Sequence, residues 1–147
     1  MTVSHTISYL LLQKKYGPID VFSGQFSGAI WHPTCYKMDK EHYDTVCKNK
    51  NQNKFELVAQ SLEILKPGVF IPSAGPPCFL DPDLFFIHLQ SINTYPRAKQ
   101  LLDFLDIYFA NKPIHTHWSE VMPGDVYDLR SREIQLNSIN LASSRTK

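Results

Sequence analysis

Between Ile71 and Pro82 the chain reads I-P-S-A-G-P-P-C-F-L-D-P, with four prolines and one glycine in a dozen residues. Each proline fixes φ and removes a backbone donor, so the run is neither helix interior nor central strand. It follows Gly68-Val69-Phe70-Ile71, which has the character of a short buried strand. A stiff loop at the end of a strand either routes the chain or shapes a site, because α/β proteins carry binding groups at that edge. On this run alone both readings are open.

The flanking sequence alternates helical and extended patterns. Residues 4–16 read as a helix capped by Ser4, with Ile7, Leu10 and Leu11 on one face, Lys14 and Lys15 in the last turn, and Gly17-Pro18 as the stop. Ile19–Phe22 reads as a strand, and Ser23–Pro33 as a loop of small and aromatic residues. Asp39 is a candidate N-cap for a second helix, broken or frayed around Asn49–Asn53. Its later half places Phe55, Val58, Leu62 and Leu65 on one face and ends at Lys66-Pro67-Gly68. Leu84–Leu89 reads as a short helix or turn capped by Asp81 or Asp83. Pro96 suits the first turn of a third helix, whose stripe is Ala98, Leu101, Leu102, Leu105, Tyr108 and Phe109. Ile114–Trp118 is a weak strand, Met122–Asp125 a turn and Val126–Leu129 a last strand. Such alternation implies an α/β domain over residues 1–129, followed by a flexible tail over 130–147.

Composition excludes some partners. The 147 residues carry a net charge of +1 and no long basic run, which argues against nucleic acid, since phosphate neutralisation needs clustered Lys and Arg. The apolar run Tyr9–Leu12 is too short for a membrane span or a signal segment. Three widely spaced cysteines, Cys35, Cys47 and Cys78, form no C-x-x-C pair and suit a reducing, cytoplasmic setting.

Four segments together carry a family likeness: D-V-F-S-G-Q-F-S-G-A-I-W-H-P (Asp20–Pro33), F-I-P-S-A-G-P-P-C-F-L-D-P (Phe70–Pro82), N-T-Y-P (Asn93–Pro96) and M-P-G-D (Met122–Asp125). The chain resembles, over roughly residues 5–129, the C-terminal half of metallo-β-lactamase-fold proteins of the CMP-N-acetylneuraminate hydroxylase-like family, some of which carry an added Rieske domain. The resemblance implies half of an αββα sandwich, a small mixed sheet with about three helices. It further implies a parent family of zinc- or iron-dependent hydrolases or oxygenases acting on small molecules. That family draws its main metal ligands from an H-x-H-x-D-H loop, which this chain lacks. The nearest string is His115-Thr116-His117-Trp118-Ser119-Glu120, and Ser73-Ala74-Gly75 stands where a late histidine is expected. The expectation is therefore a truncated or split domain with no metal, no cofactor and no turnover of its own. The alternative is a binding or assembly module, whose half-sheet pairs with a companion chain carrying the missing N-terminal half or with a second copy.

Gln25, Ser27 and His32 on the loop after the first strand, with Ser73 and Cys78 on the proline loop, are the pocket candidates. Parallel pairing of the two strands would bring both loops to one sheet edge. Against this, Gly24, Gly28 and Gly75 allow tight packing that the polar groups would simply satisfy. Phe26, Ile30 and Trp31 are expected in the core. His115 and His117 alternate on one strand face as two metal ligands would, or as surface residues of an edge strand. Cys78 is a candidate nucleophile with His88 or His32 as base, or else an inert thiol. Asp81 and Asp83 are read as caps rather than a catalytic pair.

Overall fold

The structure is a computed structural model and describes residues 3–28, 30, 32–131 and 133–137. Its α/β organisation follows the alternation in the sequence. Helix α1 (Val3–Tyr16) leads to strand β1 (Val21–Gln25), α2 (Lys40–Leu65), β2 (Val69–Ser73), a 3₁₀ turn (Phe85–Leu89), α3 (Ala98–Phe109) and β3 (His117–Trp118). Strands β4 (Val126–Asp128) and β5 (Glu133–Gln135) follow. None of the helices is long and apolar enough to cross a membrane, among the described residues.

Strands β1, β2 and β3 form one parallel sheet in that order. Parallel neighbours need crossovers, and α2 and α3 supply them. The register aligns Phe22 with Phe70 and Phe70 with Trp118. Side chains alternate across a strand, so these three rings share one face. Both crossover helices pack there, joining Phe26 and Phe70 to Phe55, Val58, Ala59 and Leu62 of α2 and to Leu101, Leu105 and Phe109 of α3. On the opposite face Val21, Ser23 and Gln25 of β1 and His117 of β3 are exposed.

Several expectations change. The sheet is not a single mixed one: it is a three-stranded parallel sheet with a separate antiparallel β4–β5 pair. The boundary expected at residue 129 falls inside that hairpin, whose β5 lies beyond it. Helix α2 runs unbroken through Asn49–Asn53. Polar residues there are not a fraying signal, because Lys50 and Asn51 bond the backbone of residues 93–94. Asp39 caps this helix as expected, its carboxylate accepting from the His42 N–H at 2.9 Å. Backbone hydrogen bonding there holds the Asp39 carboxyl below its usual range. Pro96 sits just before α3 rather than in its first turn, since Arg97 is the N-cap and its N–H donates to Gln100 Oε1.

Helix α1 departs furthest. Ile7, Leu10 and Leu11 are all about half exposed or more, and α1 docks instead through Tyr9 on the Phe22 ring and Gln13, whose amide donates to Leu65 O at 2.7 Å. Gly17 ends it at φ 82°, a left-handed conformation that suits glycine. The side chain of Ser4 and all of Trp31 lie outside the described residues. Phe26 is in the core as expected, whereas Ile30 is 51% exposed.

Candidate functional site

Parallel pairing sets Gln25 beside Ser73, so the loops after β1 and β2 do leave the same sheet edge. There the proline loop faces the start of α3 and the 120–125 turn across a hollow of about 740 Å³. Ser73, Arg97 and Glu120 line it. Asp125 also lines it, but its carboxylate accepts from the N–H groups of Met122 and Asn137, both at 2.8 Å, and so closes its own turn.

The five pocket candidates are not gathered into one place. Ser27 is fully buried, and its hydroxyl donates to Ala74 O at 2.8 Å, which fastens the proline loop to the end of β1. Gln25 faces a different hollow, of about 260 Å³, beside Tyr9, Phe22 and Lys54. His32 is exposed with its ring against Tyr36 at 5.3 Å, and Cys78 is an exposed free thiol. His88 is held by the Phe79 backbone, its Nε2 accepting from the Phe79 N–H at 2.9 Å. His115 and His117 are both exposed, and β3 covers only the second of them.

The N-T-Y-P segment, one of the four that carry the family likeness, organises a second region through contacts the sequence did not disclose. Thr94 is fully buried, and its hydroxyl donates to Gln90 Oε1 at 3.0 Å. That uses its one proton, so Tyr43 OH, 2.7 Å away, donates to Thr94. The Gln90 amide in turn donates to Tyr43 OH at 3.3 Å, closing a ring of three hydrogen bonds. The Cys47 thiol, buried and 3.2 Å from Thr94 Oγ1, fills its remaining acceptor position as a weak donor. Lys50 Nζ donates to Thr94 O at 3.1 Å and lies 4.7 Å from the Tyr95 ring centre. Partial burial holds the Lys50 ammonium below the usual lysine range. Asn51 donates to Asn93 O, and Tyr95 OH reaches back to Ile30 O at 3.3 Å. The hub therefore ties α2 to residues 30–34 and 90–95. Its members sit 43, 47, 50 and 51 along the helix, one face at i, i+4, i+7 and i+8. That spacing was visible, but a polar helical stripe reads as a solvated surface until its partner is known.

Beside the hub, residues 34–43 and 79–90 enclose a further hollow of about 390 Å³ with largely apolar walls.

Comparison with known proteins gives three curated relatives. One, from Mycolicibacterium smegmatis, is described as a "Putative Rieske 2Fe-2S iron-sulfur protein" and is 35% identical over 101 residues, 67% of this chain and 20% of that protein. Another of the same description, from Mycobacterium tuberculosis, is 39% identical over 96 residues, 63% of this chain and 19% of the relative. The chain thus spans about one fifth of the length of the relatives it matches. No family model and no solved structure matches it.

These findings overturn the resemblance to metallo-β-lactamase-fold proteins and the zinc or iron hydrolase parentage drawn from it, because the relatives are named for a Rieske 2Fe–2S cluster instead. They equally overturn the expectation of no cofactor, and neither the truncated hydrolase nor the half-sheet assembly module gains support. The physical reason is plain: Pro-Gly-rich segments specify loop shape, and loop shape does not specify a metal set. A Rieske centre takes two cysteines and two histidines. Among the described residues no group of three or more His, Cys, Asp or Glu lies close enough to hold a metal. Cys47 is buried against Thr94 while Cys35 and Cys78 are exposed, so the described residues do not assemble that ligand set.

Proposed function

We propose that this chain works as part of a Rieske-type 2Fe–2S iron–sulfur protein, with the cluster as the cofactor of the whole protein. The observation that carries the reading is 35–39% identity over about two thirds of the chain to relatives so named. A Rieske cluster performs one-electron transfer; the segment seen here contributes a folded α/β unit and its hollows, and no hydrolytic step is assigned to it. The companion in this reading is the remainder of such a protein. Nucleic acid is not a partner in this reading: exposed cations such as Lys40 and Lys99 are paired with Asp44 and Asp103. Three free cysteines support a reducing, cytoplasmic setting.

A chimera tests this. The 96 matched residues of the Mycobacterium tuberculosis relative are replaced by the corresponding residues of this chain, and iron, acid-labile sulfide and the visible spectrum are measured. Cluster content equal to that of the relative is expected. A folded chimera that fails to load its cluster would sink the reading.

A further inference from the structure

The hollow beside the hub has the build of a ligand site. Its lining runs from the buried Ile87 and Tyr95 through half-buried Tyr43 and Gln90 to the exposed Phe86 and Cys35. Met38 and Phe79 complete apolar and aromatic walls. At about 390 Å³ it falls at the lower end of the range for small-molecule sites, which are mostly apolar with a few convergent polar groups.

The hydrogen-bond ring determines what those polar groups offer. Gln90 has two amide protons, and one is spent on Tyr43 OH. The Tyr43 proton is spent on Thr94. Tyr95 OH, also in the lining, donates to Ile30 O with Thr34 Oγ1 beside it at 3.4 Å, so the donor these groups leave over is the second Gln90 N–H, oriented because the Gln90 carbonyl is held by Thr94. Charge completes the specification. Lys40 is the cation of the lining, it lies at the exposed rim, and its Nζ is 2.6 Å from Asp44. A bound anion would lose water without gaining an unpaired cation there.

We propose that this hollow binds a small neutral ring-bearing molecule, about one or two rings in size, whose carbonyl or hydroxyl oxygen accepts a hydrogen bond from the Gln90 amide. Phe79 and Phe86 make edge or offset contacts with the rings. The Thr94 ring holds the donor in place before the ligand arrives, which removes an ordering cost from binding. The site stands on the geometry of this chain and is independent of any cluster.

The test is a fluorescence titration of the intact chain with prodan, a neutral two-ring ketone, alongside anilinonaphthalene sulfonate, an anion of similar size. Saturable, blue-shifted prodan binding at one site per chain is expected, tighter than that of the anion. Phe86→Ala should weaken it roughly tenfold through lost apolar contact. Phe86 is 58% exposed, so its removal leaves the fold intact, as circular dichroism will verify. Gln90→Ala should weaken binding about three- to tenfold. Gln25→Ala, in the separate hollow beside Tyr9, should change nothing. No saturation, saturable binding indifferent to Phe86→Ala, or preference for the anion would each overturn the proposal.

Discussion

The two halves of α2 are held to the molecule by different forces. Its C-terminal half buries Phe55, Val58, Ala59 and Leu62 against the sheet and α3. Its N-terminal half buries only Cys47 among apolar residues and adheres through Tyr43, Lys50 and Asn51 to the loop at residues 90–95. Apolar packing is non-directional and close to additive in area, so it tolerates exchange of one aliphatic residue for another. A hydrogen-bonded hub is directional: each proton has one destination, and removal of one member leaves others buried without partners. A segment held in the second way carries polar groups in fixed positions at little apolar depth. The ligand-sized hollow lies against that half and not against the core.

The strongest way to break this contrast is to damage the apolar half. Leu101 is fully buried in the first turn of α3, and Leu101→Ala should destabilise the chain by about 2–5 kcal/mol. Urea unfolding followed by circular dichroism should show the loss, and hydrogen exchange should speed up throughout, since both halves depend on this core. Protection that survived in α2 while α3 opened would show that the helices do not form one unit.

Damage to the hub should be smaller and local. Thr94→Val keeps the shape and deletes the hydroxyl that Tyr43, Gln90 and Cys47 share, with an expected cost of roughly 1–3 kcal/mol. Exchange should accelerate in residues 30–38 and 79–95 and stay unchanged at 55–65 and 98–109. Uniform acceleration would erase the distinction between the halves. Ser27→Ala removes one buried hydroxyl bond to Ala74 O and should cost about 0.5–1.5 kcal/mol, loosening residues 72–76 alone. Rapid exchange in the hub of that variant would mean that the proline loop and the hub are a single structure.

The same division explains what the sequence could disclose. Helix α3 was legible because Leu101, Leu105 and Phe109 recur at i, i+4 and i+8, and burial follows that period. The parallel order of β1 and β2 followed from strand, helix and strand in succession. Apolar period misled at α1, where Leu10 and Leu11 keep the spacing but are exposed, because a periodic face reveals that something could cover it and not what does. The hub was illegible for the opposite reason. Tyr43, Lys50 and Asn51 look like surface residues until the loop some forty positions away is laid on them. Gln25 and Ser73 were correctly placed on one edge by topology, yet they face separate hollows, since adjacent registers do not fix where a side chain looks outward. The family likeness failed at the same level: shared proline and glycine describe a backbone path, and chemistry depends on what that path presents.

The smallest expected effect lies where α2 begins. The Asp39 carboxylate accepts from the His42 N–H, and its pKa is lowered from 3.8, chiefly by that backbone hydrogen bond. A carboxyl depressed in the folded state binds its proton more readily when unfolded, so stability rises with pH across the interval between the two values. The contribution is complete above 3.8 and disappears as pH falls through the lower folded value. Asp39→Ala should therefore melt slightly below the wild type near neutral pH, with the two melting curves converging in strong acid. Asp39→Asn, which keeps the acceptor without the charge, should fall between them at neutral pH. Because the cap starts the half of α2 that holds the hub, the variant should also release exchange at Tyr43 before Cys47, and Leu62 should be unaffected. An equal change at Leu62 would show that the helix opens as one piece, and would remove the basis for treating its two halves as separately held.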